Sequence, residues 1–365
     1  MSVLAAIAVL ALLIVIHELG HFTAARTQGI RVSRFSLGFG PVLWRYQGAQ
    51  TEYAVRALPL GGFVGFPDGD PDSEVDPSDP NLMKNRPLLD RAIVISAGVV
   101  ANFVFAYFLL VAQASVVGIP ESDYEPGVAV PEIVEQQQSP AAQAGLEAGD
   151  VIVSVESQRL GEGRDAIRAL QARIQASPQE PLALTIERDG RTRSFSVTPR
   201  NEGGEGKIGV LLAPNGDVQR RYPSGIGEAL SAGAEQYQRI VSLTAEGFRE
   251  LAANFRESAD QVAGPIRIVE VGAGIAESDA GSLFRFAALI SINLGIINIL
   301  PLPVLDGGQL VFLALEGIRG RPLPSKVQEG ITQTGVVFFI GLAMFLIVRD
   351  TANLAVVQDL LQNDG

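Results

Sequence analysis

Two histidines, His17 and His21, are the only histidines in the chain; they stand four residues apart, and Glu18 directly follows the first. Positions i and i+4 of a helix share one face, so both imidazoles can bind one metal ion. Glu18, about 100° around the same turn, can take a proton from a water on that metal. This spacing is typical of zinc hydrolases. The alternative, two polar side chains at a helix end, is costly in such apolar surroundings.

The third protein ligand must be a carboxylate, because the chain has no cysteine and no further histidine. Asp306 is the best candidate, since it follows the uncharged run 286–305, and Gly307 and Gly308 allow close backbone approach. The alternative is that Asp306 caps the helix that follows it. Two histidines and one carboxylate leave a position open for water, which indicates a catalytic zinc site and not a structural one.

Four apolar runs are long enough to cross a bilayer: residues 2–25, 92–119, 286–305 and 330–348. A cleaved signal peptide is the alternative for the first run, but it lacks a basic start and a clear cleavage site. The hydrophobic fraction of 47% agrees with a multi-pass membrane protein. The net charge of −12 argues against a nucleic-acid partner.

Among the short loops and termini, lysine and arginine are frequent in the connections 26–91 and 319–326 and scarce at both termini. The positive-inside rule therefore places both connections in the cytosol. Both termini and the long segment 120–285 are then expected on the outer side. The two histidines fall toward the cytosolic leaflet.

These motifs resemble those of the site-2 proteases, peptidase family M50, which are intramembrane zinc metalloproteases. The resemblance is strongest to the bacterial branch of regulator-of-sigma-E proteases. It covers nearly the whole chain and rests on the motif 17–21, the block 298–308 and the motif 98–103 in the second run. It implies an integral protein of the bacterial inner (plasma) membrane. One departure is that the chain has room for one PDZ module, where the best-known members of the branch carry two.

The resemblance implies that Zn²⁺ binds the two histidines and Asp306, and that Glu18 is the general base for attack by a zinc-activated water. It also implies substrate contacts for Asn298 and for Asn293, one turn before it. Asn102, in the second run, is a further candidate for substrate binding. For the asparagines within the spans, an interhelical hydrogen bond is the alternative.

The implied function is a zinc metalloendopeptidase that cleaves the transmembrane segments of single-span membrane proteins. Anti-sigma-type regulators already trimmed on the outer side are the substrates that the family suggests. The alternative is a non-proteolytic membrane scaffold, with structural zinc and a PDZ domain that binds chain termini. Such a scaffold has no need of Glu18 between two ligands. A transporter is disfavoured because the four runs show no inverted repeat.

Residues 35–66 have the composition of strands, with β-forming residues at 42–46 and 51–56 and recurrent glycines. The segment is similar to the membrane-re-entrant β-hairpin of the family, whose edge could pair with an unwound substrate. A small surface sheet is the alternative. The acidic stretch 68–79 resembles the start of a calcium-binding loop but lacks its glycine and its final glutamate, which argues against calcium binding. A solvated, flexible loop is expected instead.

The segment 123–214 is expected to form a small α/β module, with a helix at 164–175 and strands at 128–134, 151–155, 182–187, 194–198 and 208–212. Its stretch 139–152 resembles the signature of bacterial, circularly permuted PDZ domains, which bind a peptide or a chain terminus by adding a strand. Residues 207–210 form either a carboxylate-cradling loop or a plain closing strand. Residues 223–263 have the periodicity of an amphipathic helix, packed on the module or on the membrane surface.

The predicted fold is therefore a multi-pass α-helical membrane protein with four transmembrane helices, a membrane-re-entrant β-hairpin and an inserted PDZ-like α/β domain. Residues 1–119 hold the first two transmembrane helices, the HExxH motif and the hairpin. Residues 123–214 form the PDZ-like domain, and 223–263 an amphipathic juxtamembrane helix. Residues 264–365 hold the last two transmembrane helices and the LDGG motif, Leu305–Gly308. The lipid bilayer is a predicted partner.

Overall fold

The structure, a computed structural model, describes residues 2–70, 75–134, 139–254 and 263–352. The chain divides into two compact units: a helical unit, Met1–Gly118 with Tyr222–Gly365, and an α/β unit, Ile119–Arg221. The described helices and strands are, in chain order, α1 (Ser2–Thr27), β1 (Arg34–Gln47), β2 (Glu52–Gly65), α2 (Leu88–Val116), β3 (Ile119–Ile133), α3 (Pro140–Gln143), β4 (Val151–Val155), β5 (Gln158–Arg159), α4 (Gly163–Gln175), β6 (Leu182–Arg188), β7 (Arg191–Val197), β8 (Arg200–Glu202), β9 (Glu205–Lys207), β10 (Val210–Arg221), α5 (Ile226–Ala253), α6 (Pro265–Ser278), α7 (Leu283–Ile299), α8 (Asp306–Arg319) and α9 (Ser325–Ala352).

Three helices of the helical unit, α1, α2 and α9, are long and apolar enough to cross a membrane. The third predicted span is shorter than expected, because α7 has 17 residues and ends at Ile299. Pro301 explains this end, since it lacks an amide hydrogen and biases the preceding residue away from the helical conformation. Leu300 is indeed extended, with φ −62° and ψ 143°. A helix of that length spans about 26 Å, less than a hydrocarbon core of about 30 Å.

Helix α2 lies at the centre of the helical unit, in contact with α1, α5, α7 and α8. It crosses α1 closely, because a Cβ on Gly20 would overlap the carbonyl oxygen of Ala97. Small residues at such crossings are typical of helices packed in membranes. Other faces of α2 meet α5 and α7 in a buried apolar cluster of Ala106, Leu110, Ile240, Ala288 and Ile292.

Helix α5 accounts for most of the predicted amphipathic helix 223–263, while residues 255–262 lie outside the described part of the chain. It packs on α2 within the helical unit, a contact that the sequence did not predict. Gly233 sits against Val111 so closely that an added Cβ would meet the Val111 side chain at 2.6 Å. The sequence pattern shows that one face is apolar, but it does not say which apolar surface covers that face. Helix α6, between this helix and α7, was not predicted.

Strands β1 and β2 are long and bent, and each contains segments that pair with different segments of the other strand. Residues 34–37 pair on one side with 52–55 and on the other with 62–65, while 42–47 pair with 52–56. The two strands therefore form one sheet with 42–47 at one edge and 62–65 at the other. Both strands predicted in this segment are confirmed.

The acidic stretch 68–79 is only partly described, because residues 71–74 lie outside the described residues. The end of the stretch is held by hydrogen bonds, so the prediction of a flexible loop is wrong for this part. Asp79 accepts a hydrogen bond of 2.7 Å from Arg31 and another of 2.8 Å from the backbone amide of Asn81. A basic residue of another segment thus holds this end of the acidic run in place.

The α/β unit contains a sheet in the order β10-β3-β4-β6-β7, with β5 paired to β4. Helix α4 buries Ala166, Leu170 and Ile174 against its apolar core. The predicted strands and helix are present, but β3 starts at Ile119 and β10 continues to Arg221. These extensions pair with each other along their length, from Ile119 with Arg221 upward. The polar, proline- and glycine-containing stretch 120–127 has no strand pattern of its own, so only this pairing explains the extension.

Candidate metal centre

The three predicted metal ligands converge in the structure. The Nε2 atoms of His17 and His21 lie 3.2 Å apart, and the Oδ2 atom of Asp306 lies 3.3 Å from the first and 3.4 Å from the second. In the described part of the chain they form the one group of three or more potential ligand side chains close enough to share a metal ion. The i, i+4 spacing on α1 brings the imidazoles together, and tertiary packing adds the carboxylate.

The donor set fits a zinc ion. Bonds of about 2.0–2.1 Å in a tetrahedral site place neighbouring ligand atoms about 3.3 Å apart, and the three observed separations match this value. Asp306 is only 9% exposed, and its Oδ2 atom accepts no hydrogen bond of acceptable geometry from the described residues. A buried carboxylate oxygen without a donor is costly unless a cation faces it. The arrangement therefore suits two imidazoles and one carboxylate around a divalent metal.

Asp306 reaches the histidines because α7 stops early and α8 begins directly beside that end. A Cβ on Gly307 would overlap the carbonyl oxygen of Ile299, and one on Gly308 would overlap that of Leu302. The glycine pair thus allows the first turn of α8 to lie against the preceding loop. Leu305 occupies the N-cap position of α8, and no side-chain cap bond is formed there. This disfavours the alternative in which Asp306 serves only as a cap.

A row of residues on α2 forms the wall behind the two imidazoles. The Nδ1 atom of His21 lies 2.8 Å from the carbonyl oxygen of Val94. The Nδ1 atom of His17 lies 3.1 Å from Nδ2, the side-chain amide nitrogen of Asn102. Between them, Gly98 leaves room for both rings, because a Cβ there would overlap His21 Nε2 and lie 2.8 Å from His17 Cε1. The sequence singled out Gly98 and Asn102 as a motif but not the carbonyl of Val94. A backbone acceptor leaves no signal in residue type.

An ion pair connects α2 to α8, the helix that begins at Asp306. Arg91, near the start of α2, donates a hydrogen bond of 2.7 Å from Nη1 to Glu316 of α8. Both side chains are largely buried. The pair links the two helices at a point away from the ligands, which helps to fix the position of Asp306 relative to Gly98.

Glu18 is buried and lies against the sheet of β1 and β2. A Cβ on Gly62 would come within 2.8 Å of Glu18 Cγ and 3.0 Å of the Ser36 carbonyl oxygen. The edge segment 62–65 of this sheet therefore approaches the carboxylate at a glycine, where no side chain intervenes. The recurrent glycines of this segment were noted in the sequence, but their contact with Glu18 was not foreseen.

The three asparagines proposed as substrate contacts lie in different surroundings. Asn102 is 0% exposed and contacts His17. Asn293 and Asn298 are half-buried on α7, and within the described residues neither side chain takes part in a hydrogen bond. Only Asn102 thus touches a ligand of the metal centre, whereas the amides on α7 are available to another molecule.

The α/β unit contains a separate groove. A cavity of about 350 Å³ lies between α4 and β10 and is lined by Gln171, Ile174, Gly209, Val210 and Leu212, among others. Lys207 and Ile208, directly before β10, also line the cavity. An exposed strand edge facing a helix is the arrangement in which a peptide adds as a further strand.

Comparison with known proteins gives extended similarities. Residues 5–342 match the family model described as Peptidase family M50. The chain is 59% identical over 354 residues to a Nostoc sp. protein named "Putative zinc metalloprotease", covering 97% of both chains. It is 46% identical to the membrane metalloprotease ARASP, chloroplastic, of Arabidopsis thaliana, over 99% of this chain and 81% of that protein.

More distant similarities include a sigma-factor regulator and one solved structure. The chain is 31% identical to the regulator of sigma-E protease RseP of Salmonella typhimurium, over 92% of this chain and 96% of that protein. A crystal structure of the PDZ domain of the SdrC-like protein from Listeria monocytogenes covers 24% of this chain and 86% of its own. Its TM-score is 0.21 at 19% identity, a score too low to establish a shared fold.

Proposed function

Because the chain belongs to peptidase family M50, we propose that it is an intramembrane zinc metalloprotease in which His17, His21 and Asp306 hold the metal and Glu18 is the general base. The observation that carries this proposal is the buried triangle of two imidazole nitrogens and one carboxylate oxygen without a hydrogen-bond donor. Zinc is named for the Nostoc relative and for a Synechocystis relative 55% identical to this chain.

The chemistry divides between the metal and the protein side chains. When bound, zinc supplies a Lewis acid that lowers the pKa of a water and polarises the peptide carbonyl. Glu18 accepts the proton of the attacking water and returns it to the leaving amine. Asn298, a neutral donor at the end of α7, stabilises the oxyanion or holds a neighbouring substrate carbonyl. Asn293, further along the same helix, is a second candidate for substrate contact.

The substrate is proposed to be the transmembrane segment of a single-span membrane protein, such as an anti-sigma-type regulator already trimmed outside. A helix must unwind before its peptide bonds become accessible. The edge segment 62–65 lies against Glu18 and can pair with the unwound strand, presenting it extended to the site. In this proposal the sheet of β1 and β2 is the membrane-re-entrant element, which is tolerable at membrane depth where protein covers its backbone.

The α/β unit is proposed to be a PDZ-like module, whose groove between α4 and β10 takes a peptide or chain terminus. The order of its elements and the edge position of β10 support this assignment. The unit provides no ligand of the metal centre, so its role is selection: it excludes bulky ectodomains and admits trimmed substrates.

The protein is proposed to cross a bacterial inner membrane four times, with α7 as the short third span and both termini and the α/β unit on the outer side. The distribution of lysine and arginine supports this topology. The chain contains no cysteine, so single cysteines can report it. A cysteine at Asp189 should be labelled only from outside, and one at Ser325 only from the cytosol. The reverse pattern would invert the topology.

The test of the activity is incubation of the purified protein with a panel of transmembrane peptides. The wild-type protein should contain about one zinc per chain and cleave some of them. Glu18→Gln should keep the zinc but lose about 10²–10⁴-fold in cleavage rate, because it removes proton transfer and not a ligand. Substantial turnover by this variant would rule out the role of Glu18. A non-proteolytic scaffold with structural zinc, the other candidate, would leave every peptide intact in both proteins.

A further inference from the structure

The two metal-binding imidazoles share one outer support, a row on α2 with a spacing of four residues. Val94, Gly98 and Asn102 lie on one face of the helix, since residues i, i+4 and i+8 are stacked along it. The first and last contact the Nδ1 atoms of His21 and His17, and the glycine between them leaves space for both rings. Each ring is thus held at Nδ1, while its Nε2 atom faces the candidate metal position.

At His21 the polarity of this contact is fixed by chemistry. The Val94 group is a carbonyl oxygen 2.8 Å away, which can only accept a hydrogen bond. His21 Nδ1 must therefore carry the hydrogen and donate it. In a neutral imidazole the other nitrogen, Nε2, then presents its lone pair, and Nε2 is the atom that faces Asp306 and His17.

At His17 the partner is a side-chain amide, which can act either way. The Nδ2 atom of Asn102 lies 3.1 Å from His17 Nδ1, while its Oδ1 atom is buried and has no partner among the described residues. A half-turn of the amide exchanges these two atoms with little change in shape. It would place the oxygen against the ring and satisfy the buried acceptor.

We propose that Asn102 is a positioning residue that accepts a hydrogen bond at Oδ1 from the Nδ1–H of His17, and so orients that ring for metal binding through Nε2. This inference rests on the ligand assignment of the proposed function. A histidine that binds zinc through one nitrogen donates the hydrogen on the other to a fixed acceptor, which sets the tautomer and the ring orientation. Asn102 is 0% exposed, so its amide serves the ring and not the substrate.

The backbone of Asn102 is itself anchored. Ser291 of α7 donates a hydrogen bond of 2.8 Å from Oγ to the Asn102 carbonyl oxygen, and both residues are fully buried. The amide therefore projects from a point fixed by two helices, which suits a group that must hold a ring orientation.

The test measures zinc affinity by competition with a chromophoric chelator, on the full-length protein in detergent. Asn102→Leu keeps the approximate size and removes the acceptor, and should weaken zinc binding about 10–100-fold. Asn102→Asp keeps an acceptor and should recover most of that loss. Ser96→Ala is the matched control, because the Ser96 hydroxyl bonds to Ala92 within the same helix, and it should bind zinc like wild type.

Two results with the variants would overturn the proposal: wild-type affinity in Asn102→Leu, or an equal loss in the leucine and aspartate variants. A measurement on the wild-type protein avoids dependence on variants that fold poorly. Because the chain has only two histidines, ¹⁵N-histidine NMR of the zinc-loaded protein shows two imidazoles, and both should carry hydrogen on Nδ1. A His17 ring without that hydrogen would refute the assignment of Asn102. Absence of zinc from the wild-type protein would instead refute the ligand set itself.

Discussion

Two buried aspartates, one in each unit, are partnered in opposite ways. Asp150 in the α/β unit is 1% exposed, and both of its oxygens accept hydrogen bonds. Arg188 donates to Oδ1 and Oδ2 at 2.5 and 2.7 Å, and the backbone amide of Glu147 donates to Oδ2 at 2.9 Å. Asp306 in the helical unit is nearly as buried, but its Oδ2 atom faces two imidazole nitrogens and accepts no hydrogen bond from the described residues.

The difference separates a carboxylate that pairs within its own unit from one that is proposed to bind a metal. Burial by itself raises the pKa of Asp150, but the hydrogen bonds from Arg188 and Glu147 outweigh it and hold that pKa below its usual range. Both of its oxygens therefore have partners within the unit. Asp306 keeps a buried oxygen without a hydrogen-bond donor among the described residues, which costs stability unless a cation binds there. Buried polar atoms without a hydrogen-bond partner are rare in proteins and often belong to functional sites.

The largest expected effect is that of Asp306→Ala. Removal of one of three protein ligands should abolish stable zinc binding and peptide cleavage, because two imidazoles alone hold the metal poorly. Zinc content after gel filtration is the measurement. Asp150→Ala is the matched control, because it deletes a buried carboxylate of the α/β unit and should leave the zinc content unchanged. Retention of zinc by Asp306→Ala would remove the contrast between the two aspartates.

The next effect concerns the space behind the imidazoles. Gly98→Ala should displace His21 and abolish or strongly weaken zinc binding, because the added Cβ overlaps the ring nitrogen. Gly330→Ala, in α9, is the control, since among the described residues no atom beyond its own stretch of helix backbone lies within 4 Å of its Cβ position. That variant should bind zinc normally and gain up to about 1 kcal/mol of stability from the better helix former. Normal zinc affinity in Gly98→Ala would show that α2 can shift to relieve the overlap.

Removal of the α/β unit should change selection and not chemistry. The deletion should span Ile119–Arg221, because β3 and β10 pair along that whole length; the narrower boundaries predicted from sequence would leave unpaired strand ends. The deletion variant should keep its zinc, and it should cleave untrimmed and trimmed substrates at similar rates. If it rejected untrimmed substrates as strictly as the intact protein, selection would reside in the helical unit.

A smaller effect is expected from Asp150→Ala on the α/β unit itself. Loss of one partner leaves Arg188 buried without its main counter-charge, and such losses typically cost about 3–5 kcal/mol. Pulse proteolysis in urea on the full-length protein would measure the free energy of unfolding of this unit. Asp165→Ala provides the control: its side chain is 94% exposed, and the change should stay within about 0.5 kcal/mol. A similar small change in both variants would mean that the Asp150 network adds little stability.

The smallest effect is a pH dependence. The pKa of Asp150 is lower in the folded state than the unfolded value of about 3.9. Its contribution is therefore complete above that pH and is lost as the pH falls below about 4 toward the folded pKa. The unfolding free energy of the α/β unit should decline in this window, and Asp150→Asn should flatten the decline. An unchanged slope in that variant would assign the acid sensitivity to other carboxylates.

Several elements of the site were predictable because they depend on local sequence. The i, i+4 histidines require only a helix to share a face, and an apolar run of spanning length predicts that helix directly. Counting ligands left only carboxylates to complete the site, since the chain has no cysteine and only two histidines. The position of Asp306 after an uncharged run and before two glycines then selected it. The strands of the α/β unit and of β1 and β2 were predictable from their β-forming residues.

Other features depend on which surfaces meet, and only the tertiary structure decides that. The amphipathic pattern of α5 shows an apolar face but does not identify α2 as its partner. The carbonyl of Val94 supports His21 without any signal in residue type, because every residue has a carbonyl. Asn102 has the polarity of a substrate contact, yet only the tertiary structure shows that it is buried beside His17, where we propose that it supports the ring. Local pattern determines which groups share a helix face; close packing at Gly98, Gly307 and Gly308 determines which of them converge on one point.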